Sequence, residues 1–423
     1  MAEDLPSWKA GTASAVITPA ESMWLAGWVV RTEPSRGTVS DLHAKAIALE
    51  DPGGGRFVLI TMDLIAVSRE IASAVAAEVG RRHSLPRDRL MFCASHTHCG
   101  PEIRPDKVPY FYIPPEYAAK IVPYGERLTR ELIALVAKAL SGLERVRLTV
   151  RQTSAPFAHN RRGGEGIDHD VPTLEVISAD GRRRAVVFGY ACHNTTMPPL
   201  DYRYCGDYAG FAQASLASDT ADASLFVAGA GADQNPDPRG TIDLAREHGR
   251  TLADAVRHCL TDGDAHEITG TLRVAYDEIP LEFQPLPPRD VIEADRRSDD
   301  RYVRTKAEQL LAGLDRGETF PPTYPCPLHV VQFGDALLLI GIGGEPVIDY
   351  AHALKRKYAA PGRIVWVAGY TNDMFGYIPT ARVLREGGYE GTKSVLWSAL
   401  PTPFAQSTEA RVIAGVERLV HQL

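Results

Sequence analysis

No apolar run in this chain approaches the roughly 18 to 20 residues that a membrane-spanning helix needs. No long Lys/Arg-rich stretch occurs either, and the net charge is −7, so a nucleic-acid interface has no footing. The densest basic run, Arg182-Arg183-Arg184, follows Asp180-Gly181 and precedes an apolar stretch, which suits a solvated turn leading into a strand. Cysteine is sparse: Cys93, Cys99, Cys192, Cys205, Cys259 and Cys326 show no CxxC spacing. That gives no disulfide framework, so reduced thiols are expected. Cys99 and Cys192 flank histidines and stay open as ligands or nucleophiles against the plainer reading as small buried residues. The start, Met1-Ala2-Glu3-Asp4-Leu5-Pro6, is acidic and lacks the apolar stretch of a signal peptide, so the cytoplasm is the expected compartment. Internal repeats and low-complexity tracts are also missing.

What remains is an ordinary globular composition, 44% hydrophobic and 23% charged, over 423 residues. That length exceeds what single cores usually reach, so the chain is one large layered domain or two that share a core. Apolar runs and helical patterns alternate. Strands are expected over 43–50, 57–62, from about 90, and over 146–152, 172–178, 185–191, 224–228, 268–277, 279–284 and 363–368. A further strand pair is expected over 328–342, turning at Gly334-Asp335. Helices are expected over 68–82, 114–141, 207–218 with Asp207 as cap, 241–261, 289–314, 346–358 and 408–421. The segment 317–327, rich in proline and glycine, reads as irregular. The fold class is α/β: a mixed sheet core flanked by helices, in a single catalytic domain over 1–423.

Several apolar strands end in polar residues able to bind a metal or do chemistry. They are followed by Ser95-His96-Thr97-His98-Cys99-Gly100-Pro101, Cys192-His193-Asn194, Asp233-Gln234-Asn235-Pro236, Gly344-Glu345-Pro346 and Asn372-Asp373 with Gly376-Tyr377. In layered α/β proteins, ligands sit beyond the carboxyl ends of strands, and the repetition points to one metal-centred site. His96 and His98 are two apart, and on an extended chain alternate side chains share a face. HxH is also a frequent ligand spacing. Taken singly, each motif has a plainer reading. The two histidines could be solvated, His193 could be a hydrogen-bonded core residue, and Glu345 could be a charge at a helix N-terminus. Tyr377 could be packing and Arg161 a surface charge. Gly229-Ala230-Gly231 has no third glycine at the dinucleotide spacing. Its small residues would instead let backbone approach a substrate, with Asp233 as a base and Gln234 and Asn235 as hydrogen-bond partners.

In this order, the motifs resemble the neutral/alkaline ceramidase family, from Thr18-Pro19 to Tyr389-Glu390-Gly391. The resemblance implies a catalytic zinc, one per chain, held by His96, His193, Glu345 and Tyr377. It places His98 beside the metal, in contact with the reacting group. It matches the family's Asn-Arg pair to Asn160-Arg161, with Arg161 a polar contact. Two departures stand out. The family's serine falls at Gln234, and its C-terminal immunoglobulin-like domain is not expected here. The expectation is therefore a zinc-dependent hydrolase cleaving an amide or ester through a metal-activated water, and not a true ceramidase. His98, Asp233 and Arg161 are the expected catalytic groups, with Asn160, Gln234, Asn235 and Asn372 as substrate contacts. The alternative is a metal-dependent lyase, isomerase or hydrolase of a carbohydrate or polyol. The expected partner is a small-molecule substrate, with self-association left open.

Overall fold

A computed structural model describes residues 7–423 except Glu165; Met1–Pro6 lie outside the described residues. The strands, in chain order, are β1 (Trp8–Val16), β2 (His43–Glu50), β3 (Arg56–Met62), β4 (Leu90–Ala94), β5 (Glu144–Ser154), β6 (Ala158–Asn160), β7 (Asp170–Ser178), β8 (Arg183–Tyr190), β9 (Ala223–Ala228), β10 (Gln234–Pro236), β11 (His266–Glu267), β12 (Leu272–Glu282), β13 (Thr323–Phe333), β14 (Leu337–Ile342), β15 (Glu345–Pro346), β16 (Ile364–Ala368) and β17 (Tyr377–Ile378). A large mixed sheet runs β4-β3-β2-β1-β5-β7-β8-β9, with β11 added beside β5. A second sheet runs β12-β13-β14-β16. The helices are α1 (Arg69–His83), α2 (Pro115–Ser141), α3 (Asp207–Asp219), α4 (Ile242–Asp262), α5 (Arg289–Asp295), α6 (Arg301–Asp315), α7 (Ile348–Tyr358), α8 (Ala381–Glu386), α9 (Gly388–Gly391) and α10 (Thr408–His421). No described helix is long and apolar enough to cross a membrane.

Strand alternation builds four layers. On β3, Phe57 and Leu59 pack in a core shared with the second sheet, while Val58, Ile60 and Met62 pack in the core beneath the helices. On β14, Leu337 and Leu339 face the first sheet, and Leu338, Ile340 and Ile342 face the other way. Successive side chains of a strand point to opposite faces, so each sheet, apolar on both, must be covered twice. Helices α1 to α4 cover the large sheet through residues such as Val75, Leu132, Leu216 and Val256. Helices α7 and α10 cover the second through Tyr350, Leu354, Val412 and Val416. The order is helix, sheet, sheet, helix, an α/β architecture as expected.

Some elements differ from the sequence reading. The expected strands at 268–277 and 279–284 are mainly one, β12, paired along its length with β13. The segment 317–327 is irregular only up to Thr323. Pro325 and Pro327 are tolerated in β13 because β14 joins only from Leu328 onward, so they lie on a locally open edge. The helix at 289–314 is two, α5 and α6, the second capped by Asp300, whose carboxylate accepts the Tyr302 N–H at 2.8 Å. Asp207 is not the cap of α3 but its first residue, after Gly206. It adopts φ 52°, and its carboxylate takes the Met197 N–H at 2.9 Å. All six cysteines are buried and unpaired. Arg182 and Arg184 form ion pairs with Asp222 at the start of the β8–β9 pair.

Candidate metal centre

The parallel pairs β3–β4 and β8–β9 of the large sheet, and β14–β16 of the second, release their chains toward one region. Isolated bridges lock the releases together. Thr97 pairs with Asn194, joining the segments after β4 and β8, and Cys93 pairs with Thr371 across the two sheets. Three non-glycine residues here, His96, Tyr370 and Asn372, have left-handed backbone, with φ of 64°, 56° and 62°. Such conformations are costly and cluster at functional sites. His96 and His98 therefore do not converge as alternate residues of a strand. The chain leaves β4 at Ala94 and turns through left-handed His96, whose ring stacks on Tyr370 with centroids 4.3 Å apart.

The ring nitrogens of His96, His98 and His193 lie within 4.8 Å of one another, all three residues buried. His96 Nδ1 is 2.7 Å from the Ile65 carbonyl and His193 Nδ1 is 2.9 Å from that of Gly231. A carbonyl only accepts, so each Nδ1 carries its proton and each Nε2 keeps a free lone pair, the arrangement that orients metal-binding imidazoles. Glu345 Oε2 lies 3.3 Å from His96 Nε2 and 3.5 Å from His193 Nε2. It is buried and has no hydrogen-bond partner among the described residues. Glu345 and Tyr377 are direct partners in the short parallel pair β15–β17, and the Tyr377 hydroxyl is 3.4 Å from His193 Nε2. Donors about 2.0–2.1 Å from a tetrahedral zinc lie roughly 3.3 Å apart. The observed separations fit such an ion, and the donor set of two imidazoles, a carboxylate and a phenol suits it chemically.

The electrostatics agree. Burial pushes the Glu345 carboxyl up, but the facing His96 and His193 imidazoles outweigh it and hold it well below the usual range. Burial, with the Arg161 charge next, brings His193 down to about 4. Burial and then the His96 and His193 rings keep His98 neutral, far below its ordinary value. Burial, then Glu345 and Tyr389, pushes the Tyr377 phenol well up. His98 Nε2 is 3.3 Å from His96 Nε2, while its Nδ1 is buried without a partner among the described residues. Its ring is held between Trp28, 5.0 Å between centroids, and Gly27, where a Cβ would stand 2.3 Å from Nδ1. Buried Arg31 fixes the backbone here, donating to the carbonyls of Ala26 and His98 at 2.7 and 2.6 Å. No sequence signal marked Arg31, because its partners are backbone carbonyls and the Cys99 sulfur, none of them a charged side chain.

The other expected site residues separate into two groups. Arg161 reaches the centre: Nη2 donates to the Tyr377 hydroxyl at 3.1 Å, Nε to Glu390 at 2.7 Å, and Nη1 to Asn235 Oδ1 at 3.5 Å. Asn235 and Arg161 both line a cavity of about 710 Å³ that opens onto His98 and His193. Asp233 does not reach it. Its carboxylate accepts the Ile348 N–H at the start of α7 at 2.9 Å and the Gln234 amide at 3.1 Å. Asn160 donates to the Gly166 carbonyl at 2.8 Å and to Asp233 at 3.4 Å. Gln234, fully buried, donates to that same carbonyl at 3.2 Å. These three brace the β6–β10 pair against α7 and do not line the cavity. Asn372 is also turned away, its side-chain oxygen accepting the Phe92 N–H at 3.2 Å. Cys99 and Cys192 are buried and stand outside the histidine group. The sequence reading gave no role to Trp28, Phe111, Arg239, Tyr389 or Trp397, all on the cavity wall.

No protein-family model matches the chain, and a search of the curated proteins found no relative. In three dimensions it is similar to the neutral ceramidase from Pseudomonas aeruginosa, with a TM-score of 0.75 at 16% identity, covering 98% of this chain and 75% of that one. It is equally similar to a ceramidase complexed with C2, with a TM-score of 0.76 at 16% identity, covering 98% and 76%. The likeness establishes the ceramidase fold for this mixed α/β chain.

Proposed function

We propose that this chain is a zinc-dependent hydrolase of an amide or ester bond, holding one zinc through His96, His193, Glu345 and Tyr377. The observation that carries the reading is the pairing of both Nδ1 atoms with backbone carbonyls, which leaves two imidazole lone pairs beside an unpartnered buried carboxylate. A buried Glu345 without hydrogen-bond partners would be costly unless a cation stood next to it. A zinc held by these residues would polarise a carbonyl and lower the pKa of water toward neutrality.

The chain's own residues supply the rest. His98, neutral and at the cavity floor, is the proton carrier: it can accept a proton from water at a ring nitrogen and return it to the leaving group. Arg161 fixes the Tyr377 oxygen and lends it positive charge through Nη2, while its Nε and Nη1 meet Glu390 and Asn235. It is a positioning residue. Gln234 stands where the resemblance puts the ceramidase serine and is tied to the Gly166 carbonyl, so water is the assigned nucleophile and ceramide is not the assigned substrate. The wall formed by Trp28, Val29, Val30, Phe111 and Trp397 favours a substrate with an apolar part over a carbohydrate or polyol.

Metal content tests the centre. About one zinc per chain in the wild type, lost in both His193→Ala and Glu345→Ala, is the expected result. A folded, chelator-free preparation with no stoichiometric metal would overturn the zinc assignment.

A further inference from the structure

The large cavity beside the histidines contains four charged side chains, and three of them are committed to one another. Arg161 and Arg162 both pair with Glu390, at 2.7 Å in each case, and Arg162 also holds Glu386, at the rim, at 2.9 Å. Arg239, on the same wall, makes no hydrogen bond or ion pair with any described residue. Asp237 is near enough to act on it electrostatically but forms no ion pair with it. Among the described residues, the cavity lining therefore carries one uncompensated positive charge.

That charge sits on a fixed loop. The Asp237 N–H donates to the Phe157 carbonyl at 2.9 Å, and the Gly240 N–H to that of Thr196 at 2.8 Å. His248 Nε2 meets the Pro238 carbonyl at 2.7 Å. The backbone on both sides of Arg239 is thus pinned, so a ligand would have to order only the side chain and not the loop. A second observation is independent of charge. Four uncharged lining residues have a buried polar atom without a partner among the described residues: His98 Nδ1, the Thr195 hydroxyl and the indole N–H groups of Trp28 and Trp397, of which the indoles can only donate. The carboxylate of the lining, Glu390, is already bound by two arginines. Arg239 and the two indoles can only donate, so this part of the lining favours a ligand that brings acceptors.

We propose that Arg239 is an anion-reading subsite and that the substrate is an N-acyl amino acid. Its carboxylate lies at Arg239, its apolar acyl chain along the aromatic wall, and its amide at the metal centre. The identity of the bond rests on the hydrolase reading above; the charge preference does not. Hydrolysis breaks the C–N bond: the water oxygen joins the acyl carbon, giving a fatty carboxylate, and a proton goes to nitrogen, giving a free amino acid.

The test uses probes that cannot be cleaved. 4-Oxoundecanoic acid copies N-octanoylglycine with CH₂ in place of N–H, and 4-oxoundecanamide is its neutral twin. Both are titrated against the full-length protein as purified, following tryptophan fluorescence. The acid is expected to bind about ten- to a hundredfold more tightly than the amide, as a charge-assisted hydrogen bond allows. The preference should shrink with added salt, vanish in Arg239→Gln and persist in part in Arg239→Lys. Equal binding of the two probes, binding of neither, or an unchanged preference in Arg239→Gln would overturn the proposal. Arg239 is exposed and has no ion pair among the described residues, so its replacements should fold, which a thermal melt verifies. Turnover of N-octanoylglycine separates the two readings. No turnover with the charge preference intact sinks the hydrolase and spares the subsite, and equal turnover of N-octanoylglycine and its amide with equal probe binding does the reverse.

Discussion

Arg161 donates to the Tyr377 hydroxyl at 3.1 Å, and the same oxygen lies 3.4 Å from His193 Nε2. The phenol is thus placed between a fixed cation and a candidate metal ligand. Burial alone would keep it protonated, so it ionises only if a metal ion joins Arg161 beside it. The fork geometry matters, because Nε holds Glu390 while Nη2 holds Tyr377. Arg161→Met and Tyr377→Phe should each lower zinc affinity about ten- to a hundredfold, as removal of an outer partner or a ligand does. Arg161→Lys should not restore it, since an ammonium cannot span both contacts. Competition with a chromophoric chelator measures this, and unchanged affinity in Tyr377→Phe would remove the phenol from the ligand set.

Gly27 tests His98. Its φ is 92°, and an added Cβ would meet His98 Nδ1 at 2.3 Å and the Ile65 side chain at 2.9 Å. Gly27→Ala should therefore displace the His98 ring while leaving the Nε2 atoms of His96 and His193 in place. If His98 carries protons and is not a ligand, zinc content stays near one per chain and kcat falls about a hundredfold or more. Joint loss of metal and activity would make His98 a ligand instead.

Asp233 looked like a base in the sequence because it follows a buried strand and small residues. The structure uses its carboxylate to receive the first N–H of α7 and the Gln234 amide. Asp233→Asn keeps an acceptor there and should leave activity within a few fold. Asp233→Ala removes the acceptor and should lower stability by about 1–2 kcal/mol, the range for lost helix N-terminal acceptors. A collapse of kcat in a folded, metal-loaded Asp233→Asn would restore the base assignment.

The sequence showed the parts of this molecule whose signal is local. Strands β3, β4, β8 and β14 are dominated by apolar residues, so their existence and the polar residues at their ends could be read directly. Strand β1 was invisible because its core is Ala, Gly and Ser: it packs under α2, where a Cβ at Gly11 would stand 2.2 Å from the Ala139 carbonyl oxygen. The Glu345–Tyr377 pair is a two-residue ladder between segments 32 positions apart, too short to have a period. Left-handed backbone at His96, Tyr370 and Asn372 likewise has no signature in non-glycine residues. Motif order revealed which residues could form a site. Only the backbone showed that Asp233, Asn160, Gln234 and Asn372 are used to hold it together.

Lys306 should make stability depend on pH. Its ammonium is buried, donating to the carbonyls of Ser398 (at 2.9 Å) and Leu400, on the loop next to the cavity residue Trp397. Lys107 reaches the same loop through the Trp397 carbonyl at 3.0 Å. Burial, with the neighbouring Lys107 charge, brings Lys306 down to about 7 from 10.5. Below about pH 7 the folded and unfolded chains both hold the proton, and the folded state bears the full cost of the buried charge. Between about 7 and 10.5 the unfolded chain binds the proton and the folded chain has released it, so stability rises with pH. Each pH unit between the two values is worth about 1.4 kcal/mol, an upper bound here because the loop carbonyls favour the charged form. From pH 7 to pH 9 the wild type should gain about 1–2 kcal/mol relative to Lys306→Met, which has nothing to titrate at that position. Urea unfolding at both pH values gives the difference directly. A gap that stays constant or narrows with pH would mean that the two carbonyls outweigh burial and that Lys306 remains an ordinary charged lysine.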